Sequence, residues 1–359
     1  MHKSSEIDYI IVGQGLAGSA LSYQLIKEGK QVLVVDDGNP HTSSKIAAGL
    51  YNPVTGRKMV KTWKADQLFP NLITFYQELE QILSARFLIE LPIYRPFVSL
   101  EEQNEWMGKS SASEYAPYVK QVHCKSVYPF ANDPFGGIEL LQSGYLDIPV
   151  FLASYRHYLQ NRDSLDASRF DINELVLGKG SVTYRGVRSR RIIFCDGLSS
   201  AKHKYFQWLP FSPVKGEVLR IKANFELKNI LNRGVFVVPL ENGLFRVGSN
   251  YDNHDRTLVP TEKARMEIEG RLNELAKIKY EIVEQVAGIR PATRDRRPFL
   301  GLHPEYETIG VFNGLGTKGV SLAPYFASHF VRFLEYGEEL HPEVNINRYF
   351  SLYYDSHKN

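Results

Sequence analysis

The chain has 359 residues, of which 43% are hydrophobic and 23% charged, with a formal net charge of +3. Length and composition are those of a globular protein with room for two cores. So small a charge does not require a nucleic-acid partner, and the lack of any 18-residue apolar run argues against a membrane span.

The polar start MHKSSEID runs directly into an apolar stretch, so a cleavable signal peptide is not expected. Residues 8–37 read DYIIVGQGLAGSALSYQLIKEGKQVLVVDD. The apolar run Tyr9 to Val12 predicts a strand, and Gly13-Gln14-Gly15-Leu16-Ala17-Gly18 a tight turn. Leu16, Ala20, Leu21 and Leu25 then recur at helical spacing, Gly29 ends the helix, and Val32 to Val35 form a second strand that stops at Asp36. Gly13 permits the turn, Gly15 lets backbone approach a pyrophosphate, and Gly18 lets helix pack on strand. The helix N-terminus offers free N–H groups to phosphates. Asp36, with Asp37 beside it, stands where a carboxylate accepts ribose hydroxyls. The unit predicts a bound dinucleotide.

Residues 39–64 read as loop, and the spacing of Leu68, Leu72, Phe75, Leu79 and Leu83 predicts a helix within 68–90. The stretch 91–140 is mixed, 143–159 reads as turn then helix, and 190–197 as a buried strand ending at Gly197. Strands follow over 216–221, 234–240 and 243–249, the last two joined by the hairpin signal Glu241-Asn242-Gly243. An amphipathic helix is expected over 261–275, a strand over 308–314, and a final helix from near Val320 past Phe333.

The closing segment Asn313-Gly314-Leu315-Gly316-Thr317-Lys318-Gly319-Val320 joins that strand to that helix. Such a turn gathers backbone N–H groups and a helix N-terminus at one spot and favours negative charge. A reduced flavin carries such charge at its N1/C2 carbonyl end. About 25 residues earlier, Gly288-Ile289-Arg290-Pro291 places a guanidinium that can hold a substrate carboxylate through two parallel bonds. No CxxC or HExxH occurs and the ten His are scattered, so no metal is expected.

Together these residues resemble the D-amino-acid oxidase-like family of FAD enzymes, over essentially the whole chain. Further matches are Ser43-Ser44 with Ala47-Ala48-Gly49-Leu50 to the family's loop near the flavin, and Gly144-Tyr145-Leu146-Asp147 to its glycine–hydrophobic–Asp turn. Val214-Lys215-Gly216-Glu217, Thr293-Arg294-Asp295 and Pro298 to Gly301 follow in family order. Within the family, PVKGEVLRI, GIRPATRDRRPFLG and GLGTKGVSLAP look similar to the FAD domain of the bifunctional bacterial tRNA wobble-uridine enzyme.

The resemblance implies an α/β chain, α+β overall: a Rossmann-like FAD-binding domain with an inserted, mainly antiparallel substrate domain. The expected division gives 1–80, 141–205 and 286–359 to the first and 81–140 and 206–285 to the second. Cofactor contacts are expected from Gly13, Gly15, Leu16, Ala17, Gly18, Asp36, Asp37, Ser44, Ala48, Gly49, Gly197, Arg290, Gly314, Leu315, Gly316, Thr317, Lys318, Gly319 and Val320. Arg290 and Lys318 are the candidate catalytic residues. Ile46 stands where covalent members carry the linking His, which implies non-covalent FAD. Thr317 stands where glycine oxidase places a second Arg, so the resemblance does not supply a second cationic clamp at that position; Lys318 beside it could reach the substrate or the flavin.

The expected activity is oxidation of the C–N bond of an amine or amino acid by hydride transfer to flavin, with oxygen or an electron carrier as acceptor. The alternatives are a tRNA-modifying FAD oxidase acting on a carboxymethylaminomethyl-type uridine and a non-enzymatic flavoprotein. RNA is not the favoured partner. The basic runs Arg57, Lys58, Lys61, Lys64 and Arg185, Arg188, Arg190, Arg191 read first as solvated faces. Tyr51, Trp63, Phe245 and Tyr251 are candidate pocket aromatics, and His41 reads as a loop residue. Two cysteines, Cys124 and Cys195, fit a reducing cytoplasm.

Overall fold

A computed structural model describes residues 6–56 and 58–356. The first sheet grows around the apolar strand Glu6–Val12, which pairs in parallel with Val32–Val35 and with Val187–Phe194. Val187–Phe194 pairs in parallel with Ile309–Asn313. The strands are apolar and buried at their C-terminal ends, Tyr9 to Val12 and Ile192 to Phe194, where both faces are covered. One face packs the helices Leu16–Lys27, Ala65–Leu83, Ile148–Gln160 and Gly319–Tyr336. The other buries Ile10, Val12, Ile192 and Phe194 against Phe206, Trp208 and Tyr353. Four chain segments therefore end side by side at the carboxyl edge of one parallel sheet, the usual place for a ligand crevice.

The second sheet has eight strands, with Tyr280–Arg290 at one edge and Val214–Ala223 lying between it and Leu244–Gly248. It is antiparallel except where Ile230–Arg233 meets Ile93–Pro96. Leu219, Ile221, Phe245 and Val247 bury one of its faces under the helix Glu262–Leu275, through Ile268 and Leu272. The Glu241–Gly243 hairpin is present, with Asn242 and Gly243 at φ 59° and 69°.

Several expectations are corrected. The helix expected within 68–90 spans Ala65–Leu83. Ser84 turns left-handed at φ 49°, its N–H closes on the Gln81 carbonyl, and the Ala85 N–H closes on that of Glu80. Leu88–Glu90 then form a strand beside Gly144–Leu146. The 39–64 segment is not all loop: it holds the short helix Ser43–Ile46 and the strand pair Val54–Thr55 and Val60–Lys61. The expected divisions after 80 and after 285 cut through Ala65–Leu83 and Tyr280–Arg290, which are continuous elements.

Candidate functional site

The opening turn is built so tightly that only glycine fits. A Cβ on Gly18 would lie 1.8 Å from the Gly13 carbonyl oxygen, and one on Gly13, at φ +98°, 2.8 Å from the Cys195 carbonyl oxygen. Gly15 lies beside Ser44, whose Oγ accepts from the Leu16 N–H at 3.3 Å. Leu16 and Ala17 are buried behind the turn. Ser44 thus brings the candidate flavin loop to the start of the first helix.

Asp36 closes the same unit. Its carboxylate accepts from the Gln14 N–H at 2.8 Å and the Gly38 N–H at 2.8 Å. Arg156 adds an ion pair at 3.0 Å, donates to the Asp36 carbonyl at 3.0 Å, and reaches Gln14 Oε1 at 3.1 Å. Asp37 is exposed and only turns back on the Asn39 N–H, so Asp36 is the member of the pair that meets the glycine turn. Lys45 caps the Gly38 and Asn39 carbonyls, and burial lowers its pKa. Arg156 was missed from the sequence because it arrives from the helix Ile148–Gln160, 120 residues after Asp36.

Asp36→Ala removes the carboxylate and leaves Arg156 without its ion pair. FAD affinity should fall by about 1–3 kcal/mol, the range for losing a charged hydrogen-bond partner. Titration of apoprotein by flavin fluorescence measures it. An unchanged Kd would place the ribose elsewhere.

The closing turn meets the opening one. A Cβ on Gly319, the first residue of the helix Gly319–Tyr336, would lie 2.9 Å from Leu16 Cδ1, so two helix N-termini converge. Leu315 and Val320 are buried, Gly314 and Gly316 take φ +74° and +55°, and Thr317 is exposed. The buried Asn313 side chain donates to the Gly197 carbonyl at 2.8 Å and to Ser200 Oγ at 3.0 Å, pinning the turn after Phe194. Gly197, at φ +60°, faces open space. Lys318 turns inward, donating to Thr55 Oγ1 at 3.3 Å and Thr62 Oγ1 at 3.1 Å. Burial, with Arg297 and Arg296 nearby, pushes its pKa down to about 8.

The flavin loop is clamped from outside. A Cβ on Gly49 would lie 2.0 Å from the Leu146 carbonyl oxygen, and the Leu146 N–H bonds the Gly49 carbonyl at 3.0 Å. Arg246 donates to the Ala48 carbonyl at 3.1 Å. Asp147 caps the following helix by accepting from the Val150 N–H. On the facing sheet, a Cβ on Gly288 would lie 3.0 Å from Ile46 Cβ. Arg290, two residues on and so on the same face of that strand, donates to Ser249 Oγ at 2.8 Å and to the Lys215 carbonyl at 3.4 Å. Its guanidinium lies 4.7 Å from the centre of the Tyr251 ring, and burial lowers its pKa. Gly216 makes room for it: a Cβ there would be 2.0 Å from Arg290 Nη2.

These residues fit FAD. The glycine cradle, the Asp36 carboxylate and the paired helix N-termini match the pyrophosphate, ribose and flavin ends of that molecule in chemistry and in order.

Other candidates lie elsewhere. Tyr51 packs on Phe69, Phe245 stacks on Phe225 in the second core, and Trp63 stacks on Phe326 under Arg297. Of the four pocket aromatics only Tyr251 touches Arg290. His41 is exposed, and burial pushes the Cys195 thiol up. The second basic run is largely neutralised: Arg185 pairs with Glu174, Arg188 with Glu6, and Arg190 with Glu335. In the first run, Lys61 pairs with Asp66, and Arg57 lies outside the described residues. Among the described residues no cluster could hold a metal ion, and no helix is long and apolar enough to cross a membrane.

Residues 8–332 match the model of the DAO family, described as FAD dependent oxidoreductase. Glycine oxidase of Pseudomonas aeruginosa is 23% identical over 344 residues, covering 88% of this chain and 91% of that one. The tRNA 5-methylaminomethyl-2-thiouridine biosynthesis bifunctional protein MnmC of Legionella pneumophila is 22% identical over 333 residues, 82% of this chain but 45% of that protein. Among solved structures, iminodiacetate oxidase from Chelativorans sp. BNC1 matches with TM-score 0.75 at 20% identity, over 95% of this chain and 98% of that one. That likeness shows a shared fold.

Proposed function

The chain belongs to the DAO family of FAD-dependent oxidoreductases, and on that premise we propose that it oxidises the C–N bond of an amino acid or a related amine that carries a carboxylate. The observation that carries this reading is Arg290, a half-buried guanidinium whose partners are all neutral: a hydroxyl, a carbonyl and an aromatic ring. A buried cation is stable when paired, and a substrate carboxylate is the partner this one lacks.

Bound FAD supplies the two-electron acceptor for the hydride leaving the carbon next to the amine. Arg290 would hold the carboxylate through two parallel bonds and so fix that carbon. Ser249 Oγ, already bonded to Arg290, can turn its own proton toward the same carboxylate. Tyr251 lays its ring against the guanidinium at 4.7 Å. The N–H groups of the 315–319 turn favour negative charge on what they face. Electrons would pass on to oxygen or to a carrier.

Ile46 supports non-covalent binding, since an aliphatic side chain offers no atom for a link and here packs toward Gly288. The free thiols Cys124 and Cys195 support a reducing, cytoplasmic compartment. Neutralisation of the arginine run supports leaving RNA out of this reading.

Purified protein should show flavin absorbance that acid precipitation releases. Under anaerobic conditions an amino acid or N-alkyl amino acid should bleach it, and a simple amine should do so far more slowly. Flavin that no amine or amino acid reduces would leave a sensor or scaffold and overturn the enzyme reading. A yellow pellet after precipitation would overturn only the non-covalent part.

A further inference from the structure

Arg290 is not the only half-buried cation beside the site without a carboxylate. Lys318 is half-buried, and its side chain donates to the two hydroxyls Thr55 Oγ1 and Thr62 Oγ1. Among the described residues neither Arg290 nor Lys318 takes part in an ion pair, whereas Lys215 pairs with Asp255 and Arg156 with Asp36; Arg246 and Lys45, which also lack a carboxylate, are held by backbone carbonyls and not by hydroxyls. Backbone contact brings their segments together. The Gly316 N–H bonds the Pro291 carbonyl at 3.3 Å, and a Cβ on Gly316 would meet Ala292 at 3.7 Å. Arg290 therefore stands one residue before this contact and Lys318 two residues after it.

The hydroxyls around Lys318 are informative. Thr62 Oγ1 also lies 3.1 Å from the Asn52 carbonyl and 3.3 Å from Thr55 Oγ1. Hydroxyls can accept from an ammonium and can also donate to an anion, so the set suits a bound carboxylate as well as it suits the free lysine. Ser249 stands in the same relation to Arg290. Each cation thus comes with hydroxyl groups and no fixed counter-charge. Nearby Arg296 and Arg297 make the Lys318 end more positive still, with Arg297 held over Trp63 and bonded to Glu343.

We propose that the substrate is an amine bearing two carboxylates, one held by Arg290 with Ser249 and the other by Lys318 with Thr55 and Thr62. This deepens the amino-acid reading and rests on it. One carboxylate fixes the carbon that is oxidised. The second, on the other arm of the molecule, selects dianions over simple amino acids. Lys318 acts as a specificity residue, because an unpaired half-buried ammonium disfavours any substrate that leaves it unpaired.

Two ethers that cannot be oxidised at nitrogen test this on the intact flavoprotein. Methoxyacetate carries one carboxylate and oxydiacetate two, and each Kd is read from perturbation of the flavin spectrum. Oxydiacetate should bind at least about 30-fold more tightly, which converts to about 2 kcal/mol. Lys318→Met should remove that advantage and change the methoxyacetate Kd by less than about threefold, while Lys318→Arg should restore part of it. Arg290→Lys should weaken both ligands.

Equal affinity of the two ethers for the wild-type protein overturns the proposal and leaves the amino-acid reading standing. So does a Lys318→Met variant that keeps the oxydiacetate advantage and is slowed only in reoxidation by oxygen, since Lys318 would then serve the acceptor. If neither ether perturbs the flavin and no amino acid bleaches it, both readings fall together.

Discussion

Replacing Arg290 by Ala should lower kcat/KM for carboxylate-bearing amines by about 10²–10⁴-fold while bound FAD stays in place. The estimate follows from about 3–5 kcal/mol for removing one partner of a buried, charge-assisted pair, at about 1.4 kcal/mol per factor of ten. Arg290→Lys should recover little. A lysine offers a point charge where the guanidinium offers two aligned donors, and the space beside Gly216 is shaped for the planar group. The measurement is anaerobic flavin reduction with matched substrates, with and without a carboxylate. Reduction by the amine lacking a carboxylate should change less than about threefold, because it never used the clamp. If both substrates suffer equally, or FAD is lost, Arg290 is a structural bridge through Ser249 and Lys215 and the amino-acid reading fails. Overproduced apoprotein would show the second case at once as loss of colour.

The parts of the site legible in sequence are those whose chemistry is local. Gly13, Gly15, Gly18 and Asp36 fall within one strand–turn–helix–strand unit, where spacing alone dictates geometry. Asp36 meets the glycine turn through the Gln14 N–H. The closing turn is legible for the same reason, because Gly314 and Gly316 adopt the left-handed backbone that glycine permits.

What remained hidden depends on distant segments. Arg156 reads as an ordinary polar position of an amphipathic helix, and only the packing of that helix against the first one brings it to Asp36. Thr55 and Thr62 lie in a stretch that reads as loop, and their meaning comes from Lys318, more than 250 residues away. Asn313 could have been found: an amide at a buried strand end beside a glycine turn must satisfy both its donors and its acceptor, and here the Nδ2 group donates to the Gly197 carbonyl and Ser200 Oγ while Oδ1 accepts from the Gly314 N–H. The strand Tyr280–Arg290 escaped notice because its exposed side carries Glu281, Glu284 and other polar residues, which blur the alternation that a half-buried strand should show.

Gly18→Ala should be the most damaging single methyl in the nucleotide-binding unit. Its Cβ would stand 1.8 Å from the Gly13 carbonyl oxygen and 3.3 Å from Cys195 Cβ. Both neighbours are fixed. Gly13 is held by its N–H to the Val35 carbonyl, and the Cys195 N–H is bonded to the Val12 carbonyl at 2.8 Å. Neither can yield as the tip of a flexible side chain would. The helix Leu16–Lys27 must therefore withdraw from the sheet, and the N–H groups at its start move with it. We expect a loss above about 4 kcal/mol, in the range of severe overpacking, and protein that is colourless or fails to fold. Gly29→Ala is the control from the same unit. It too has a positive φ, 75°, but a Cβ there meets nothing within 4 Å. Its cost should be backbone strain alone, about 1–2 kcal/mol, with FAD affinity unchanged. Melting temperature and FAD content of the two variants separate the mechanisms. A Gly18→Ala protein that holds FAD as tightly as Gly29→Ala would show that helix–strand closeness at this turn does not position the cofactor, and the assignment of the opening unit would have to be abandoned.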